Sequence, residues 1–123
     1  MTMAGPSAAL SLAAAFAAAT VGTHALEWHL TERANASGRV ASFDLAARTH
    51  VIASLSLVMM AALDLPGSGW AVAFLWVGSV LFCGALYLHG LTGAVWAMPA
   101  TMPGAVALSA AWIVVTIAWF RGA

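Results

Sequence analysis

The sequence predicts an all-α integral membrane protein: a four-helix transmembrane bundle with short loops. Three observations predict it. The 123 residues are 63% hydrophobic and 7% charged, whereas a soluble domain carries roughly a quarter charged residues. The charges are also confined to Glu27, Glu32, Arg33, Arg39, Asp44, Arg48, Asp64 and Arg121. Met1 to Leu26 and Leu65 to Phe120 hold none. A charge at a helix centre costs about 2.5 to 3.5 kcal/mol on insertion scales, so charges mark where the chain leaves the bilayer. Finally, the stretches between them match the roughly 20 apolar residues that a spanning helix needs.

One domain of residues 1–123 is expected, with spans near 5–26, 45–63, 70–91 and 104–120. Net charge is zero and lysine is absent, which excludes nucleic acid as a partner. Cys83, the single cysteine, cannot form an internal disulfide and reads as a small packing residue.

The first span is dominated by alanine, which is nearly neutral for insertion, so it is read as the least hydrophobic of the four and dependent on its neighbours. A cleaved signal peptide is the alternative, but the positively charged start of such peptides is missing, and the segment is read as a mature helix. The only long polar stretch follows, from Glu27 to Asp44. Ser37-Gly38 within it predicts a cap before Arg39. Val40, Phe43 and Ala47 then recur at three and four residues, which lets the second helix begin at the membrane interface. Asp44 and Arg48 form an (i, i+4) pair with the acid first, the favourable order.

The second span has Arg48 and His50 in its first turns, and ends at a run rich in turn formers, Asp64-Leu65-Pro66-Gly67-Ser68-Gly69. So short a turn makes spans two and three antiparallel neighbours. On the third span Ser79, Cys83, Tyr87 and Gly90 share one stripe, a small and weakly polar face suited to meeting other helices. Gly78 and Gly84 are added to these as helix-packing positions. The fourth span starts after Thr101-Met102-Pro103-Gly104, with proline tolerated in a first turn. It ends on the interfacial group Trp119-Phe120-Arg121.

Four antiparallel spans bring the end of helix one, the start of helix two, the end of helix three and the start of helix four to one membrane face. That face gathers His24, Glu27, His50, Tyr87 and Thr101, a polar cluster read as structural or ligand-binding.

Gly22-Thr23-His24-Ala25-Leu26, Leu81-Phe82-Cys83-Gly84-Ala85-Leu86-Tyr87-Leu88 and Thr101-Met102-Pro103-Gly104 occur in this order along the chain. In these segments the protein resembles the membrane family named domain of unknown function 423, to which eukaryotic transmembrane protein 256 is related. His24, His50, Gly84, Tyr87 and Thr101 fall on motif positions of that family. The chain departs from it at Ala46-Ala47, where Tyr-Gln is usual, at the altered Thr-Pro-x-Gly motif, and at His89, where an apolar residue is usual. The resemblance implies the four-span architecture and brings no activity with it.

Two histidines at one depth could bind haem or form half of a metal site. The bland reading is a hydrogen-bonded His24–His50–Tyr87 group that pins helix ends in register. No nucleophile–base pair, phosphate loop or paired acids assemble, so no catalytic residue is expected. The expectation is a non-catalytic accessory, assembly or scaffold subunit of the bacterial inner membrane, without metal or cofactor. Its partners would be the lipid bilayer and a larger membrane complex or homo-oligomer. The alternative is a haem-, metal- or quinone-binding protein using His24 and His50. Orientation stays open: Arg33, Arg39 and Arg48 against Arg121 favour a cytoplasmic loop between helices one and two, while the family resemblance favours the reverse.

Overall fold

Long runs of alanine and aliphatic residues with no charge to solvate fold as helices, because in lipid each backbone N–H and C=O must find its partner within the segment. In the computed structural model four such helices follow one another: α1 (Pro6–Leu30), α2 (Ala36–Leu63), α3 (Ser68–Thr92) and α4 (Met98–Gly122). The structure describes residues 4–31, 33 and 35–122, with no strand among them. Glu32, one of the charges that mark the polar stretch, lies outside the described residues. Each helix is about 37 to 42 Å long at 1.5 Å per residue, more than the roughly 30 Å hydrocarbon core, so the ends project into the interfaces. Trp28, Trp70, Trp96 and Trp119 lie at or beyond these ends and are exposed, the placement of interfacial aromatics.

Chain order is also packing order. α1 lies along α2, α2 along α3, and α3 along α4. Ala8, Leu57, Leu75 and Ala111, one from each helix, join in a buried cluster near one end. α1 is the least embedded helix: 17% of its most apolar window is buried, against 39% for α2. Its mean hydropathy of 1.5 equals that of α2, so the expectation that it would be the least hydrophobic becomes a tie. Alanine is offset there by the polar and charged residues that α2 carries.

The second helix begins at Ala36, before the Ser37-Gly38 pair, which therefore caps nothing. Asn35 precedes it with φ 58°, in the left-handed region that asparagine tolerates. This early start moves every residue of α2 deeper relative to its own end than the span boundary near Leu45 implied. His50 sits about four turns in from Ala36, near the middle of the helix.

π turns interrupt α1 at Ala18–Gly22 and α3 at Ser79–Cys83. The second is bracketed by Gly78 and Gly84, and α4 passes directly beneath it. A β-carbon on Gly104 would lie 2.8 Å from Phe82 Cβ and 2.9 Å from its Cα. One on Gly78 would lie 2.9 Å from the Gly104 carbonyl oxygen. Only glycine allows two helix backbones this close.

Candidate functional site: a hydrogen-bonded group at the middle of the bundle

His50 is the centre of the polar interior. Its Nδ1 is 3.0 Å from the Tyr87 hydroxyl on α3, and its Nε2 is 3.0 Å from Ser11 Oγ on α1. Ser11 Oγ is in turn 2.8 Å from Ser54 Oγ, one turn beyond His50 on α2. One imidazole thus ties three helices together. A neutral ring carries one donor and one acceptor, so Tyr87 and Ser11 play opposite roles toward it. The Tyr87 ring also meets Phe43 edge-on, with centroids 5.0 Å apart.

A second pair of contacts joins α2 to the end of α3. His89 Nδ1 is 2.8 Å from Ser42 Oγ. Arg39 donates from Nε to the Gly90 carbonyl at 3.1 Å and from Nη2 to the Leu91 carbonyl at 2.6 Å. These carbonyls lie in the last turn of α3, where the helix leaves acceptors unpaired and its dipole is negative, so a guanidinium is well placed there. Tyr87 and His89 therefore serve two different sites on α2.

His50 and Tyr87 are brought together, but His24 does not join them. It is exposed on α1, with no hydrogen-bond partner among the described residues. The reason is register. Gly22 lies beside Phe43, and Ser11 beside His50 and Ser54, so His24 is level with the turn near Ala41. That is about nine residues from His50, or roughly 14 Å in depth. The shared depth expected of the two histidines came from starting the second span near Leu45.

Glu27 is exposed and lines a surface groove with Thr23, Ser37 and Asp44. The Thr101 hydroxyl donates locally to the Met98 carbonyl at 2.8 Å. Asp44 and Arg48 form the expected pair at 2.9 Å. Of the helix-packing residues, Gly78 and Ser79, Cys83 and Gly90 are buried, while Gly84 is exposed and a β-carbon there would meet nothing within 4 Å. Among the described residues no three His, Cys, Asp or Glu side chains come together as a metal would require.

Ser11, Ser54, Ser42 and Arg39 were missed by sequence reasoning. Ser54 carried a usable signal, since it stands four residues after His50 on the same helical face. Ser11 carried a weaker one, as a hydroxyl in an alanine-rich span. Arg39 looked like a surface charge because the carbonyls it meets are far away in sequence.

The model of the family described as Protein of unknown function (DUF423) matches residues 17–118. The chain belongs to the DUF423 family. The matched segment holds His50 and Tyr87, whereas Ser11 precedes it. No curated protein and no solved structure matches the chain. Membership in the DUF423 family agrees with the four apolar helices and identifies a membrane protein of unknown function.

Proposed function

We propose that this protein is a non-catalytic accessory, assembly or scaffold subunit of the bacterial inner membrane. It acts by helix–helix contact with a larger membrane complex or a second copy of itself. The observation that carries this reading is the outer face of α1. Ala13, Ala17, Thr20 and His24 are all exposed at helical spacing, and α1 packs chiefly against α2 alone. Small residues let another helix approach closely. An ionisable ring on a membrane helix is costly without a polar partner, and a neighbouring chain supplies one. No turnover chemistry and no resident cofactor belong to the proposal. A haem or metal held between His24 and His50 has no support from their separation in depth.

Native electrophoresis in mild detergent tests it. Ala17→Leu with His24→Leu removes comigration with the larger species, while Ile113→Phe on the exposed side of α4 leaves migration unchanged. Wild-type protein that runs only as a monomer from its native membrane contradicts the reading.

A further inference from the structure

Beside the π turn of α3, at the level of His50, a groove of about 270 Å³ opens. His50, Trp76, Ser79, Gly84 and Tyr87 are among the residues that line it. We propose that this groove binds the carbonyl oxygen of a neutral, membrane-soluble small molecule, without turnover.

Two hydroxyls set the chemistry. Ser79 is 8% exposed, and its Oγ is the one buried side-chain polar atom among the described residues with no hydrogen-bond partner. In a membrane helix such a group left unpaired is costly. Two turns along α3, the Tyr87 hydroxyl has a single bond, to His50 Nδ1, and a phenol can both donate and accept. When Nδ1 carries the ring proton, the imidazole donates to Tyr87 and accepts at Nε2 from Ser11. The phenol O–H is then left to donate into the groove. No carboxylate or arginine lines the groove, so a charged ligand has nothing to pair with. In that tautomer both hydroxyls have a proton to give among apolar walls, which suits an acceptor oxygen on an otherwise greasy molecule. The volume is at the small end for ligand pockets and suits a head group whose tail runs out along the bundle. Gly84 leaves the wall open, since a β-carbon there touches nothing within 4 Å.

A quinone ring and an acyl ester both present such a carbonyl, and the test separates them. The full chain in nanodiscs is titrated with a decyl-substituted para-benzoquinone, and the quenching of tryptophan fluorescence is followed. Saturable quenching is expected, lost in Trp76→Phe as the reporter and abolished by Gly84→Leu, which fills the groove from a position where the β-carbon itself meets no protein atom within 4 Å. Ser79→Ala combined with Tyr87→Phe weakens binding by about tenfold, the loss of two ordinary hydrogen bonds. Unchanged circular dichroism in each variant keeps folding out of the comparison. Competition by a diacylglycerol at similar concentration assigns the site to acyl esters, and failure to compete assigns it to quinones. In a second arm a diacylglycerol carrying a carbon-13 carbonyl is followed directly by its infrared band, which shifts on hydrogen bonding. Quenching that grows linearly with quinone and is indifferent to Gly84→Leu, together with an unshifted ester band, overturns the proposal.

Discussion

A β-carbon placed on Gly90 of α3 would lie 2.8 Å from Phe43 Cβ of α2 and 3.0 Å from the Arg39 carbonyl oxygen. Phe43 is held on its other side by α1, where a β-carbon on Gly22 would stand 3.0 Å from the ring. A single aromatic side chain is thus seated between glycines of the two helices that flank α2. Gly90→Ala should destabilise the bundle by about 1–3 kcal/mol, because backbone and not a flexible side chain must yield. Adding Phe43→Ala should recover little of this, since the Arg39 carbonyl stays in place. Unfolding in mixed micelles measures both.

The contact of α3 with α4 makes a contrast within one helix. Gly104→Ala meets the backbone of Phe82 and should cost at least as much as Gly90→Ala, whereas Gly84→Ala meets nothing and should be neutral or slightly stabilising, as alanine is the better helix former. Equal effects for the two would contradict the packing of α4 beneath the π turn.

Removing the ring of His50 breaks its contacts to Tyr87 and Ser11 together. Interhelical hydrogen bonds in membranes average about 0.6 kcal/mol, so His50→Ala should lose roughly 1–2 kcal/mol and Tyr87→Phe about half as much. His24→Ala should leave the stability of the isolated chain within about 0.5 kcal/mol. A His24 effect as large as that of His50 would mean that the two rings do share a site.

Arg39→Gln withdraws a cation from the last turn of α3. About 1 kcal/mol of stability is expected to go with it, given two charge-assisted bonds of which one is exposed to the surroundings. Amide exchange should rise locally, from Gly90 to Gly93, and stay unchanged at the other end of α3. Uniform protection along the helix would rule out this anchoring role.

The four helices were legible because charge and apolar length act locally, and each run declares its own span. The stripe of Ser79, Cys83, Tyr87 and Gly90 was legible for the same reason, through helical periodicity. The polar group was half legible. Tyr87 and His50 face each other as neighbouring antiparallel helices require, but His24 was placed with them by counting from the wrong end point on α2. A helix that starts in the interface hides its boundary, because Ala36 to Leu45 carries both charges and a helical apolar pattern. Ser11 and Arg39 depend on register between helices distant in sequence, which no local pattern encodes.

The central claim, lateral contact through α1, is tested most directly by a photoreactive amino acid placed in the native membrane. Installed at Ala13 or Ala17, it should yield one discrete adduct with a partner chain or with a second copy, while the same probe at Ile113 on α4 should label lipid only. Adducts absent from both α1 positions, or equally frequent from α1 and α4, would contradict the account.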